Sequence, residues 1–135
     1  MIDKNIPIVF LAILPVYIDG CGSGTELIDI KGESVIIKSA VKSILKKILK
    51  EYVVDINALK NKYAKSLGIK NAIPLPLTRD FTLIPLKTRK PMVLKDSAYG
   101  YIYYEKIKKV FDNGISCTLD LGNYKIKNTS KESIC

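Results

Sequence analysis

The sequence predicts a single α+β domain, with N-terminal strands, then a short helical pair, then a mainly antiparallel β-sheet. Apolar residues cluster in short segments before residue 38 and recur at three- and four-residue steps between residues 41 and 67. Proline-punctuated apolar segments follow from residue 69 onward. A chain of 135 residues that is 47% hydrophobic can bury one core, whereas two separate cores would each be marginal. We therefore predict one domain over residues 1–135.

The N-terminal segment is predicted to be a buried strand. Residues 6–18 form an apolar run that is well short of the roughly twenty residues needed to span a bilayer, so we expect no membrane span. We interpret residues 8–14 as a strand and Asp19-Gly20 as a turn. After a glycine-rich turn over residues 20–24, residues 26–30 and 35–37 are predicted to form a hairpin.

Two amphipathic helices are predicted next. Six apolar residues from Val41 to Tyr52 lie on one arc of the first helix, and Lys42, Lys46 and Lys50 lie on the opposite side. Asp55 is a good N-cap for a second helix, which we expect to end near Gly68. A DNA-reading helix-turn-helix is only weakly supported, because the joint lacks glycine and the second helix has few base-reading side chains.

The remainder of the chain is predicted to be β-structure packed on the helical pair. We expect strands over residues 83–86 and 92–94, joined by a loop that contains Arg89, and an aromatic strand over residues 99–104. Asn113-Gly114 indicates a two-residue hairpin, and Gly122-Asn123 indicates a further turn. The tyrosines of residues 99–104 suit base stacking and sheet packing equally well.

The positive charge is concentrated in one part of the chain. Residues 38–70 contain nine lysines and two acids, and thus hold +7 of the net +9. Lysines four apart on a helix repel one another, so such a stripe favours an anionic partner over a merely solvated face. We expect one cationic face on a folded body.

Several kinds of chemistry have little support in this composition. The chain has no histidine, which removes the usual general base and imidazole metal ligand. Its three cysteines, Cys21, Cys117 and Cys135, show no metal-ligand spacing and do not indicate a disulfide framework. Residues 20–25 lack the lysine of a phosphate-binding loop. We therefore expect no enzymatic activity, metal, cofactor or small-molecule substrate.

A set of segments in one order over most of the chain carries a family resemblance. They are Leu-Pro-Val-Tyr-Ile-Asp-Gly at residues 14–20, Tyr-Ala-Lys-Ser-Leu-Gly at 63–68, the proline-punctuated residues 73–77, Leu-Ile-Pro-Leu-Lys-Thr-Arg-Lys-Pro at 83–91, Gly-Tyr-Ile at 100–102 and the hairpin near Gly122. Together they resemble the competence transcription factor ComK family.

The resemblance implies a bacterial transcriptional activator that recognises A·T-rich DNA, largely from the minor groove, and acts as an oligomer. Tyr101 stands where the family often has tryptophan. The sequence ends at Cys135, short of the C-terminal tail that many relatives carry and that is implicated in activation and turnover. The resemblance therefore predicts DNA binding, whereas the activation role attributed to that tail stays open.

We predict a cytoplasmic, non-enzymatic regulator that binds A·T-rich double-stranded DNA. Lysines are expected to contact phosphates and Arg89 to contribute to groove selectivity. The predicted DNA-binding residues are Lys42, Lys46, Lys47, Lys50, Lys60, Lys62, Lys65, Lys87, Arg89 and Lys90.

Two alternatives remain open. Residues 6–21 loosely resemble a bacterial lipoprotein signal, which would make Cys21 the lipid anchor of an extracytoplasmic basic protein. The second is a tail-less interaction module that keeps the family fold and modulates a full-length relative.

Overall fold

A six-stranded antiparallel sheet forms the centre of the molecule. The structure, a computed structural model, describes residues 9–20, 22–67, 73–88, 99–112, 114 and 116–128. The strand order is β3-β2-β1-β6-β5-β4, so the N-terminal meander and the later strands meet at β1 and β6. The strands are β1 (Ala12–Ile18), β2 (Gly22–Ile28), β3 (Ser34–Ile37), β4 (Leu75–Thr78), β5 (Phe81–Lys87) and β6 (Tyr99–Tyr103).

Both faces of this sheet are covered, which gives three layers. Helices α1 (Val41–Glu51) and α2 (Ile56–Leu67) cover one face. A second antiparallel sheet covers the other and consists of β7 (Lys109–Asp112), β8 (Cys117–Asp120) and β9 (Lys125–Asn128), preceded by a 3₁₀ turn at Tyr104–Lys106. The predicted α+β class is confirmed. The helices, however, pack on strands from both halves of the chain rather than on the second half alone.

Two apolar clusters hold the layers together. The helical-side core joins α1 to alternate residues of the central sheet, including Ile13, Leu27 and Leu83. The second-sheet core joins the intervening residues, such as Leu14 and Ile28, to the inner face of β8 and β9. Because successive side chains of a strand point to opposite faces, β1 contributes to both cores.

Strand β1 lies further along the chain than predicted. The sequence placed it at residues 8–14, whereas the structure has Ala12–Ile18, with residues 1–8 outside the described part. Antiparallel pairing with β2 runs from Ala12↔Ile28 to Ile18↔Gly22, so the turn is confined to the residues around Gly20.

The predicted turn over residues 20–24 is therefore wrong for residues 22–24, which belong to β2. Gly24 is a strand residue where a Cβ would lie 2.9 Å from the Ile37 carbonyl oxygen and would also clash with Ile18. Glycine at this position allows close strand packing.

The end of α1 places an unusual residue in the left-handed region. The Val53 N–H donates to the Lys50 carbonyl at 3.1 Å, and the Val54 N–H donates to the Leu49 carbonyl at 2.9 Å. This pattern is a Schellman motif, in which the residue with positive φ is usually glycine. Here it is Val53, with φ 55° and 90% of its surface exposed.

Helix α2 begins as predicted. The Asp55 carboxylate accepts hydrogen bonds from the backbone N–H groups of Asn57 at 3.0 Å and Ala58 at 3.1 Å, which is the geometry of an N-cap. The helix runs through Leu67, and the predicted end at Gly68 lies outside the described residues.

The second half departs from prediction at its hairpins. Asp112 pairs with Cys117, so four residues rather than two separate β7 from β8. The turn at Gly122-Asn123 is confirmed, with Asp120 paired to Lys125 across it. The predicted strand at residues 92–94 lies outside the described residues, and the predicted aromatic strand ends at Tyr103 because Tyr104 begins the 3₁₀ turn.

One cysteine corrects the sequence interpretation. Cys117 is fully buried and disulfide-bonded, although the sequence did not indicate a disulfide framework. Its bonding partner lies outside the described residues, which leave out both Cys21 and Cys135. Cys117 lies 18 or more residues from each of the other two cysteines, and such a spacing carries no pairing signal of its own. Separately, no helix within the described ranges is long and apolar enough to cross a membrane.

Replacing Val53 with glycine is expected to stabilise the protein. A residue with a Cβ in the left-handed region costs about 1–2 kcal/mol, which glycine avoids. Glycine is also more flexible in the unfolded state, and this cancels about 0.5–1 kcal/mol of the gain. We expect Val53→Gly to raise the free energy of unfolding by about 0.5–1 kcal/mol, measured by urea denaturation.

The matched control for this variant is Val35→Gly. Val35 is another exposed valine, at 49%, but it lies in β3 without a positive φ. This substitution should lower stability, because glycine weakens a strand interior. The strain argument fails if both variants lose stability to the same extent.

The disulfide predicts how many cysteines react with an alkylating reagent. A disulfide sulfur is not a thiolate nucleophile, so protein purified without reductant and then denatured should take up iodoacetamide at one of its three cysteines. After reduction it should take up three equivalents by intact-mass measurement. Three equivalents without reduction would show that Cys117 is not bonded.

Candidate nucleic-acid interface

The outer faces of α1 and α2 carry seven exposed lysines. In α1 the buried side consists of Val41, Ile44, Leu45, Ile48 and Leu49, and this periodicity directs the intervening lysines to solvent. The helical lysine surface, as we call it, comprises Lys42, Lys46, Lys47, Lys50, Lys60, Lys62 and Lys65, all exposed. The structure thus exposes seven of the ten residues predicted to bind DNA, on the two helices that cover one face of the central sheet.

None of these seven lysines has an ion-pair partner within the described part of the chain. The only acids between residues 41 and 67 are Glu51 and Asp55, which leaves this segment with a charge of +5. The Asp55 carboxylate is engaged by two backbone N–H groups at the start of α2. The helical lysine surface therefore keeps its positive field, which is available to an anionic partner.

Helix α1 holds its lysines more firmly than α2 does. Five side chains of α1 are at least nine-tenths buried in the helical-side core. Helix α2 packs against that core through Ile56, Leu59 and Tyr63, which are only partly buried. The four lysines of α1 are consequently presented on the more rigid support.

Lys87 occupies a different part of the molecule. It pairs with Tyr99 and follows Leu83 and Pro85 on the face of the sheet that α1 covers. The register places it at the same end of the sheet as the residues where β3 leads into α1. It lies on β5, however, four strands away from β3. It is half-buried and already has an interaction partner. Arg89 and Lys90 lie outside the described residues.

The aromatic strand belongs mainly to the core. Tyr103 is 9% exposed and packs on Phe81 with ring centroids 4.3 Å apart, while Tyr101 is partly buried against the same cluster. Burial raises the pKa of the Tyr103 phenol, and the nearby Glu105 and Asp80 carboxylates raise it further. Sheet packing therefore accounts for Tyr101 and Tyr103, whereas Tyr104 is exposed.

Positive charge also lies on the opposite side of the molecule. Four further lysines are exposed on the second sheet and just before it: Lys108, Lys109, Lys125 and Lys127. The expectation of one cationic face is therefore wrong. Sequence reasoning missed this second group because its lysines are spread over two short segments, and pairing of β7 and β9 with β8 brings them together.

Other sites offer less chemistry. Within the described ranges no group of three or more histidine, cysteine, aspartate or glutamate side chains could hold a metal ion. A cleft of about 220 Å³ lies between β1, β2 and β9 and is lined by Glu26, Thr88 and Tyr124 among others. This volume is below the roughly 300–1,000 Å³ of typical ligand pockets.

Comparisons with known proteins leave the family open. No family model, curated protein or solved structure matches the chain. The resemblance to the ComK family accordingly stays a prediction from the sequence segments that carry it.

Proposed function

We propose that this protein is a DNA-binding transcriptional regulator that binds duplex DNA through the helical lysine surface. The observation that supports the proposal most directly is the set of seven exposed lysines on two consecutive helices, none of them ion-paired within the described residues. The preference for A·T-rich sequence and the minor groove comes from the family resemblance. Activation would need features beyond DNA binding.

The energetic argument rests on the spacing of the α1 lysines. Lys42, Lys46 and Lys50 are four residues apart, so neighbouring ammonium groups repel each other by a few tenths of a kcal/mol per pair. A phosphate backbone relieves this repulsion and releases condensed counterions when the lysines bind. The same charges therefore oppose folding slightly and favour association with a polyanion.

Different residues carry different parts of the proposed recognition. Lysine–phosphate contacts position a protein on a duplex without reading its sequence. An arginine in a narrow A·T-rich groove does discriminate, because that groove has enhanced negative potential. We assign the first role to the helical lysine surface and the second to Arg89, in the segment that follows β5.

A lipid-anchored extracytoplasmic protein is the second candidate function. The Cys117 disulfide favours this candidate, because disulfides persist mainly in oxidising compartments. That candidate requires cleavage before Cys21. Cleavage there would remove β1, which pairs with β2 on one side and β6 on the other. We therefore rank the cytoplasmic DNA-binding proposal first.

The affinity for duplex DNA is expected to depend steeply on salt. If several lysines contact phosphates, the dissociation constant should rise at least tenfold between about 50 and 200 mM NaCl. The triple variant Lys42→Gln, Lys46→Gln, Lys50→Gln should lower the slope of log K against log salt by about three. Fluorescence anisotropy with a labelled duplex measures both.

The control for that experiment removes the same charge elsewhere. Lys31, Lys108 and Lys109 are exposed outside α1 and α2, and changing all three to glutamine should leave the slope nearly unchanged. Circular dichroism verifies that both variants fold. Equal losses in the two triple variants would mean that net charge alone drives binding and that the helical lysine surface has no special role.

Groove recognition has its own test. Wild-type protein should bind an A·T-rich duplex more tightly than a G·C-rich one, and a minor-groove ligand should displace it. Arg89→Ala should reduce that preference while keeping the salt slope within about one unit. Equal binding to both duplexes would refute the groove assignment and leave the phosphate contacts standing.

A further inference from the structure

The second sheet has a solvent-facing surface that the proposed duplex site does not use. Leu119 and Ile126 point inward to the second-sheet core, so the neighbouring positions of each strand point outward. The register then places six side chains together on what we call the outer sheet face: Lys109, Phe111, Thr118, Asp120, Lys125 and Lys127.

Phe111 is the unusual member of this surface. Its side chain is 48% exposed. It lies on an edge strand of the three-stranded sheet and points away from the second-sheet core, so core packing does not account for it. The Lys125 ammonium nitrogen lies 6.0 Å from the centre of its ring. An exposed ring beside a lysine on a sheet surface can accept a stacked base while the ammonium group contacts a phosphate.

The charge of the outer sheet face favours an anionic partner. It carries three lysines against the single acid Asp120, whose carboxylate accepts a hydrogen bond from the Gly122 N–H at 2.8 Å. Among the described residues none of the three lysines forms an ion pair. A second copy of the same face would bring like charges together, which argues against self-association through it.

We propose that the outer sheet face binds single-stranded nucleic acid, with Phe111 stacked on one base and Lys109, Lys125 and Lys127 contacting phosphates. A single strand is the fitting partner because the face of a base is accessible for stacking only where it is unpaired. Strands of four residues span about 13 Å, so the surface holds only a few nucleotides.

This surface is independent of the proposed duplex site. The central sheet separates the outer sheet face from the helical lysine surface, since α1 and α2 cover one side of it and the second sheet covers the other. One molecule can therefore hold a duplex and an unpaired strand at the same time.

The test uses two labelled probes, a 15-nucleotide oligothymidylate and an A·T-rich duplex, with fluorescence anisotropy at low salt. Phe111→Ser should weaken oligothymidylate binding at least fivefold, and Lys125→Gln with Lys127→Gln should also weaken it. Neither variant should change duplex affinity by more than twofold. Phe111→Trp should retain oligothymidylate binding, which separates a lost stacking surface from a folding defect.

Two matched controls make the result specific. Tyr104→Ser removes another exposed aromatic ring, at 55%, that lies in the 3₁₀ turn, and it should leave oligothymidylate binding unchanged. The Lys42, Lys46, Lys50 glutamine variant should lose duplex binding and keep oligothymidylate binding.

The proposal is overturned if Phe111→Ser binds oligothymidylate like the wild type. It is also overturned if the α1 lysine variant, rather than Phe111→Ser, abolishes that binding. Failure of the duplex to bind wild-type protein would refute the proposed regulatory function. It would not affect the proposal that the outer sheet face binds single-stranded nucleic acid.

Discussion

The pairing of β1 with β6 is the constraint on which the other layers depend. Ala12 pairs with Ile102, Ile13 pairs with Tyr101, and the Tyr103 N–H donates to the Leu11 carbonyl at 2.9 Å. Gly100 permits this approach, since a Cβ there would lie 2.8 Å from the Ile13 carbonyl oxygen. The contact closes a loop of almost ninety residues and joins two antiparallel units into one sheet.

A continuous central sheet in turn fixes where the charges lie. Its two faces are apolar, and each is shielded from water only when another layer covers it. The helices cover one face and the second sheet covers the other, so their solvent-facing lysines lie on opposite sides of the molecule. Two separate cationic surfaces are therefore a consequence of the three-layer packing.

Local signals in the sequence predicted local structure well. The bounds of α1 follow from its apolar period, and the start of α2 follows from the Asp55 side chain, because both depend on neighbouring residues. The same periodicity predicted that Lys42, Lys46 and Lys50 lie opposite the apolar arc, and all three are exposed. The positive φ of Val53 had no such signal, since valine is an unusual residue for that position.

Features that depend on distant residues could not be predicted in the same way. Strand β1 is buried on both faces, so its sequence shows an apolar run without the alternation that marks strand boundaries. The strand order arises from contacts between segments far apart in the chain. The outer sheet face also escaped detection, because its residues come from three strands and share a surface only after β7 and β9 pair with β8.

The joint between α1 and α2 relates the fold to the proposed binding. Hydrogen bonds to the Leu49 and Lys50 carbonyls end α1, and the Asp55 carboxylate starts α2 two residues after Val53. Each helix end is thereby satisfied locally, and few backbone groups remain free to rearrange. A surface held in this way loses less conformational entropy when it binds a partner than a flexible basic tail would. Because α1 is also the more deeply buried helix, its lysines should contribute more to duplex affinity per charge than those of α2.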